Sequence, residues 1–275
     1  MTRQTFKNII FQVPSIGEML LYNWGEPFLN PDILWFVLFG KKMAATCVLS
    51  TNMHIMTESL AHGLVEAGLD KIFVSCDGLT QESYSAYRRG GSLETVLKNA
   101  RLLADTRNRL GARHPEIVFQ CIVNRFNEHE IAAYEEFAKA HGADRVRLIP
   151  LCGLTPEGYL LQEEYAPSSP LWPPFRNLGR LRNCTLASTN VVFDWNGDVY
   201  TCCTASGIRE YCMGNINENS FDEIWNNEKY AYVRRFCNSG NPEMNDFKMM
   251  CYACYGVFPS EEYFRSDMWC RAFEQ

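Results

Sequence analysis

The chain of 275 residues is long enough for one large domain or two ordinary ones with proper cores. Hydrophobic residues make up 47% and charged residues 21%, which is typical of a globular protein and not of a disordered one. The net charge of −6, with no basic cluster, argues against a nucleic-acid partner and against an anionic membrane surface.

Twelve cysteines are many for a chain of this size. Residues 1–20 carry charges and no continuous apolar core, so we expect no signal peptide. The longest apolar run, residues 33–39, is too short to cross a bilayer. We therefore expect a cytoplasmic protein with reduced thiols, and that setting favours metal binding over a disulfide framework.

The first 150 residues alternate predicted helices with predicted strands. The helices are expected over 3–13, 31–41, 57–67, 80–87, 92–110 and 128–141, the last begun by the capping pair Asn127 and Glu130. The strands are expected over 19–22, 45–50, 71–76, 117–123 and 146–149. Strands that are apolar throughout predict an α/β fold with a parallel sheet covered on its faces and curved like a barrel. Its chemistry is expected at the carboxyl ends of the strands.

Two further regions follow this predicted sheet domain of residues 1–150. Residues 151–183 are rich in proline and glycine and form a connector. Residues 184–275 form a cysteine-rich domain, in which Asn196-Gly197 between two β-prone runs predicts a tight hairpin. Within it, Ser220 and Glu223 form a capping box that predicts the start of a helix.

Four cysteines of this domain are expected to meet at one metal centre. They are Cys184, Cys202, Cys251 and Cys254, the first two joined by the hairpin and the last two spaced as Cys-x2-Cys. Four thiolates can hold an iron–sulfur cluster or a tetrahedral zinc, and the residues alone leave both open. Cys47, Cys76, Cys121 and Cys152 lie in or at the ends of predicted strands and are expected to be small core residues. The five histidines are scattered without ligand spacing and receive no role.

Several motifs in the predicted sheet domain resemble the radical S-adenosylmethionine (SAM) superfamily, in its branch with a C-terminal SPASM/Twitch auxiliary-cluster domain. They are Gly25-Glu26-Pro27, Thr51-Asn52, Ser75-Cys76-Asp77-Gly78 with Arg88, and Asn124. The resemblance implies a partial (β/α)6 TIM-like barrel followed by a small domain with a β-hairpin and a helix. It implies that Gly25, Glu26 and Pro27 hold the amino group of SAM, and that Ser75 and Arg88 contact its carboxylate. Asn52, Asp77 and Asn124 are expected to complete the cofactor-binding residues.

The cysteine-rich domain resembles the SPASM pattern in its spacing Cys184-x12-Gly197-x4-Cys202. Cys251-x2-Cys254 would close one four-cysteine cluster, and no further Cys-x5-Cys-x3-Cys follows. The resemblance therefore implies a single auxiliary 4Fe–4S cluster, held by the four cysteines named above.

The sequence departs from the family in one respect, because it contains no Cys-x3-Cys-x2-Cys. In the family these thiolates hold the cluster at which SAM is cleaved to a 5′-deoxyadenosyl radical, and the cofactor carries the hard chemistry. We therefore expect a barrel that lacks its first strand, with weak SAM binding and no SAM cleavage by this chain alone. Radical chemistry on a peptide or small metabolite is expected only where the missing segment is supplied.

Two alternatives remain open. One is a non-catalytic iron–sulfur module that works with a reductant or a partner protein. The other is a structural protein stabilised by zinc.

Overall fold

The computed structural model describes residues 1–151, 164–171, 185–239 and 270–272. By their contacts, the residues divide into two compact units. The sheet unit comprises residues 17–177 and 259–275, and the cysteine-rich unit comprises residues 1–16 and 178–258. The predictions for Cys152, Cys184, Cys251 and Cys254 fall outside the described residues, as does most of the predicted connector.

The sheet unit is built on five parallel strands. They are β1 Glu18–Leu20, β2 Thr46–Thr51, β3 Lys71–Ser75, β4 Glu116–Val123 and β5 Arg145–Pro150, in that spatial order. A further strand, β9 Cys270–Ala272, pairs antiparallel with β5. The predicted α/β fold with a parallel sheet is thus confirmed, and each of the five predicted strands overlaps an observed one.

Helices follow the strands of this unit. They are α2 Ile33–Lys42, α3 Glu58–Glu66, α4 Gln81–Tyr87, α5 Leu93–Arg109 and α6 Ile131–Ala140. Thr57, Thr80 and Ser92 cap α3, α4 and α5 through their side-chain oxygens, as short hydroxyl side chains commonly do. Each helix returns the chain to the start of the next, parallel strand. The carboxyl ends of β1–β5 therefore all lie at the same edge of the sheet.

Among the described residues, the two faces of the sheet differ in burial, and the predicted cover of both faces stays a prediction. Successive residues of a strand point to opposite faces. In β3, Ile72 and Val74 are fully buried, whereas Phe73 between them is only half-buried. Gln120 of β4 and Arg147 of β5 are likewise half-buried. Arg147 places its guanidinium 5.1 Å from the Phe73 ring centroid. The face that carries these residues is therefore more polar and more accessible than the other.

The cysteine-rich unit contains a small antiparallel sheet of β6 Val192–Phe193, β7 Asp198–Tyr200 and β8 Gly214–Asn215. The predicted hairpin joins β6 to β7, and Gly197 has a φ of +95°, which favours glycine. Among the described residues, this sheet is accompanied by the helices α7 Leu186–Thr189, α8 Phe221–Asn226 and α9 Glu228–Ser239. The predicted capping box at the start of α8 is present, with Ser220 and Glu223 each accepting from the other's backbone amide.

The first helix, α1 Arg3–Gln12, belongs by its contacts to the cysteine-rich unit, although the predicted sheet domain of residues 1–150 included it. Ile9 lies in the same apolar cluster as Val199 and Ile224. Two polar contacts join α1 to this unit: Asn8 donates to Asn217 at 3.0 Å, and the Phe221 amide donates to Gln12 at 2.9 Å. The apolar face of α1 predicts burial but carries no information about which surface buries it.

Candidate functional site

The turn after β1 presents a carboxylate. Gly25 has a φ of +91°, a left-handed conformation that glycine adopts without the steric cost of a side chain. Pro27 opens a short 3-10 turn, Pro27–Leu29, where its fixed φ and missing amide hydrogen are tolerated. Glu26 caps this turn, because its Oε1 accepts from the Phe28 amide at 3.1 Å. The local sequence Gly25-Glu26-Pro27 thereby fixes the orientation of the Glu26 side chain.

The last residue of β2 and the residue after it supply two more donors to Glu26. The Thr51 hydroxyl donates to Oε1 at 2.8 Å, and the Asn52 amide donates to Oε2 at 2.8 Å. A carboxylate has about four acceptor positions, so the three donors leave roughly one of them open on Oε2. Glu26 forms no ion pair within the described parts of the chain. This arrangement suits an ammonium group, which would bring both a donor and the missing positive charge.

A buried ion pair lies beyond the end of β3. Asp77 is fully buried, and its carboxylate accepts from the Arg88 Nε at 2.5 Å and from the Ile122 amide at 2.5 Å. Burial raises the pKa of Asp77, although Arg88 and the Ile122 amide both act to lower it. Burial by itself would lower the pKa of Arg88, but Asp77 raises it above its ordinary value. Arg88 therefore stays charged.

The remaining geometry of Arg88 matters for ligand binding. Its side chain is 31% exposed, and only its Nε is used by Asp77. A guanidinium carries five N–H donors in a planar fork, and no described residue accepts from the terminal nitrogens of Arg88, which could therefore bind a planar anion such as a carboxylate. Arg88 is also the C-cap residue of α4. Its backbone carbonyl accepts from the Gly91 amide at 2.9 Å and so closes the turn that follows the helix.

The other predicted site residues lie at the same edge of the sheet. Asn52 directly follows β2, Ser75 is the last residue of β3, and Asn124 directly follows β4. Both Ser75 and Asn124 are buried, and Asn124 is fully inaccessible to solvent. The Asn124 side chain is used within its own turn, accepting from the Phe126 amide at 2.9 Å and donating to the Ile122 carbonyl at 3.0 Å. Its predicted role in lining the cofactor remains a prediction.

Sequence reasoning missed the residues that hold the end of β3 in place. Asn127 and Glu130 were expected to cap α6, but a 3-10 turn precedes that helix and neither side chain caps it. Instead, Asn127 donates to the Asp77 carbonyl at 3.0 Å, and its Oδ1 accepts from the Asn124 amide at 2.8 Å. Glu130 accepts from the Leu79 amide at 2.8 Å. A capping pattern and a tertiary contact use the same side chains, and the sequence pattern cannot distinguish them.

Only one of the four predicted metal ligands lies in the described residues. Cys202 follows β7 in a turn and is half-buried, as is its neighbour Cys203. Burial raises the pKa of the Cys203 thiol. Within the described ranges, no three His, Cys, Asp or Glu side chains converge as a metal site. The joint ligation expected of the four cysteines therefore stays a prediction.

Three cysteines of the sheet unit are buried in the core, as expected from their strands. They are Cys47, Cys76 and Cys121. Burial raises the pKa of Cys47 to about 11 and that of Cys76 to about 12. Burial raises the pKa of Cys121 well above its ordinary value. These thiols are packing groups and not reactive ones.

Residues 184–255 match the family model of SPASM, an iron–sulfur cluster-binding domain. The match bears out the iron–sulfur character expected of the cysteine-rich domain. It spans the predicted ligand cysteines but does not report their geometry. In the described part of the chain, no helix has both the length and the apolar composition needed to cross a membrane.

Two relatives extend the similarity to the sheet unit. The chain is 24% identical over 252 residues to the tungsten-containing aldehyde ferredoxin oxidoreductase cofactor-modifying protein of Pyrococcus furiosus, covering 80% of this chain and 70% of that protein. It is 30% identical over 147 residues to the AdoMet-dependent heme synthase of Methanosarcina barkeri, covering 52% of this chain and 40% of that protein. The chain thus spans less than half of the second relative.

The fold also resembles a solved structure, Streptococcus suis SuiB bound to the precursor peptide SuiA. The TM-score is 0.63 at 15% identity, and the likeness covers 85% of this chain and 60% of that one. At this identity the likeness concerns the fold alone.

Proposed function

We propose that this chain, as a member of the radical SAM proteins that carry a SPASM domain, binds SAM at the carboxyl edge of its parallel sheet. We further propose that residues 184–255 bind one auxiliary 4Fe–4S cluster through Cys184, Cys202, Cys251 and Cys254. The five strands would then form part of a (β/α)6 TIM-like barrel, with the half-buried face of Phe73 and Arg147 turned inward.

The Glu26 carboxylate carries the proposal for SAM. It is held by three donors, has one acceptor position left and forms no ion pair with any described residue. Arg88 offers the complementary group, a partly exposed guanidinium whose charge is secured by Asp77. An α-amino acid moiety carries one ammonium and one carboxylate, and SAM has such a moiety. Gly25 and Pro27 set the turn, while Asn52, Ser75 and Asn124 form the adjoining strand ends.

Catalysis is proposed only in the presence of a Cys-x3-Cys-x2-Cys segment, which these 275 residues do not contain. With such a cluster, SAM supplies a radical that abstracts hydrogen. The chain's own residues would bind and orient the aminoacyl part of SAM, through Glu26 on one side and Arg88 on the other. Orienting a bound reactant is itself a large contribution to a rate.

The substrate is proposed to be a peptide or a small molecule, and a reductant or partner protein is proposed to supply electrons. The relatives named above support both substrate classes, because one is a heme synthase and the structure of another holds a precursor peptide. The half-buried polar face of the sheet provides a surface on which either could lie.

The SAM proposal is tested by isothermal titration of SAM into the anaerobic protein. The Glu26→Gln variant keeps the shape of the side chain but removes its charge, and we expect SAM affinity to fall about tenfold or more. Glu18→Gln is the matched control, since Glu18 is an exposed carboxylate at the other end of β1. Equal affinity of SAM for the Glu26 variant and the wild type would refute the assignment.

The cluster proposal is tested by iron, sulfide and zinc analysis of protein purified without oxygen. We expect about four irons in the wild type and a loss of most of them in Cys202→Ser. Cys203→Ser is the matched control, because Cys203 is the adjacent half-buried thiol and is not a proposed ligand. One zinc and no iron in the wild type would instead support the zinc-stabilised alternative.

A further inference from the structure

His54 uses both nitrogens of its ring. Nδ1 lies 2.9 Å from the Asn52 carbonyl oxygen, and Nε2 lies 3.0 Å from the Ser92 amide nitrogen. A carbonyl can only accept a hydrogen bond and a backbone amide can only donate one. In this arrangement Nδ1 donates to the Asn52 carbonyl and the Nε2 lone pair accepts from the Ser92 amide.

His54 joins the carbonyl of Asn52, two residues before it, to the amide of Ser92, 38 residues after it. Asn52 is the residue whose amide holds the Glu26 carboxylate. Ser92 caps α5 and follows the turn that begins at Arg88. The imidazole thus connects the segment beside the proposed ammonium ligand to the segment beside the proposed carboxylate ligand.

The surroundings of His54 hold it in a defined position. Met53, immediately before it, has a φ of +60°, which costs a side-chain-bearing residue about 1 kcal/mol or more. This conformation is held by the buried Asn99, which donates to the Met53 carbonyl at 2.8 Å. On the other side, the Tyr84 ring stacks on the imidazole at 6.5 Å and 26°. The ring is therefore fixed by neighbours of its own and does not depend on the two hydrogen bonds alone.

We propose that His54 is a positioning residue for the aminoacyl part of SAM. It sets the separation between the Glu26–Asn52 segment and the Arg88–Ser92 segment, so that one amino acid moiety can reach both. The inference rests on the proposed function, because it concerns the same site. It assigns no contact between His54 and SAM.

The test compares two variants of the full chain. His54→Phe keeps an aromatic ring against Tyr84 but removes both hydrogen bonds. His54→Gln places an amide oxygen near the position of Nε2, where it can again accept from the Ser92 amide. His62→Phe is the control, since His62 is about half exposed on α3 and pairs with Glu66 along its own helix.

Two ligands separate a positioning role from a general loss of structure. SAM carries the aminoacyl group, whereas 5′-methylthioadenosine has the same nucleoside without it. In titrations of the anaerobic protein, we expect His54→Phe to weaken SAM about tenfold and 5′-methylthioadenosine by less than about twofold. We expect His54→Gln to recover most of the SAM affinity, and His62→Phe to change neither.

The outcomes distinguish the two proposals. An equal loss of both ligands in His54→Phe would mean a structural role and would overturn the positioning role. Unchanged SAM affinity in His54→Phe would overturn it as well. If the wild type binds neither ligand, the proposed function fails first, and the positioning role fails with it. Amide exchange at Ser92, faster in His54→Phe than in the wild type, checks the hydrogen bond without any ligand.

Discussion

The Asp77–Arg88 pair is asymmetric, and the asymmetry predicts which partner is costlier to remove. Asp77 is fully buried, whereas the Arg88 side chain is 31% exposed. Breaking a buried ion pair from one side costs about 3–5 kcal/mol when the remaining charge has no other partner. Arg88→Gln leaves the buried carboxylate with only the Ile122 amide. In Asp77→Asn the guanidinium can turn to water, and we expect a cost of about 1–2 kcal/mol.

The cost of Arg88→Gln is also expected to depend on pH. Burial already raises the pKa of Asp77 with Arg88 present, and removing the cation raises it further. A carboxyl whose folded pKa lies above its unfolded value of about 3.9 contributes stability below that value and loses it as pH rises through the folded pKa. The free energy of unfolding of Arg88→Gln should therefore fall further below that of the wild type as pH increases.

Urea unfolding at about pH 5 and about pH 8 measures both effects. We expect the deficit of Arg88→Gln to be larger at the higher pH and to exceed that of Asp77→Asn there. The double variant has no carboxyl at this place and should lose the added pH dependence. The reasoning is refuted if the Arg88→Gln deficit is the same at both values, or if Asp77→Asn is the more costly change at about pH 8.

Four further predictions concern individual residues. The Tyr84 hydroxyl is buried without a partner among the described residues, so Tyr84→Phe should leave the free energy of unfolding unchanged or raise it. Tyr134→Phe removes a hydroxyl that donates to a backbone carbonyl at 2.7 Å and should lower the free energy of unfolding by about 1 kcal/mol. If urea unfolding shows a larger loss for Tyr84→Phe than for Tyr134→Phe, both predictions are contradicted. In native protein at about pH 8, iodoacetamide should label the half-buried Cys212 well before the buried Cys121, and mass spectrometry that finds Cys121 labelled first would count against the burial argument. Gly197→Ala should lower the melting temperature, because φ is +95° and a Cβ would lie 2.3 Å from the nearest side-chain atom; an unchanged melting temperature would exclude the strain at this turn.

Some features of the fold could be predicted because their causes are local. The strand runs 45–50 and 117–123 are apolar and β-prone, and β2 and β4 lie within one residue of them. The hairpin at Asn196-Gly197 needs only a backbone that tolerates positive φ. The helix begun by Ser220 needs only a hydroxyl and a carboxylate three residues apart. In each case the partners lie within a few residues of one another.

Other features could not be predicted because their causes are distant in sequence. The donors to Glu26 from Thr51 and Asn52 come from 25 and 26 residues away. Asn127 matches a capping pattern but bonds to the Asp77 carbonyl, 50 residues away. His54 shows no ligand spacing, and its partner amide lies 38 residues on. No periodicity or short motif encodes such contacts, since they depend on which strand ends become neighbours.

The candidate site therefore has two separate origins. A motif such as Gly25-Glu26-Pro27 determines which chemical group is available, here a carboxylate on a tight turn. The parallel order of the strands determines where that group points, because the last residue of β2 and the residue after it supply donors that hold it. A carboxylate without those donors would sample many rotamers and would lose entropy on binding an ammonium, whereas one already held loses little. The strongest argument for ligand binding at this edge is thus that the chain immobilises Glu26 while no cation among the described residues pairs with its charge.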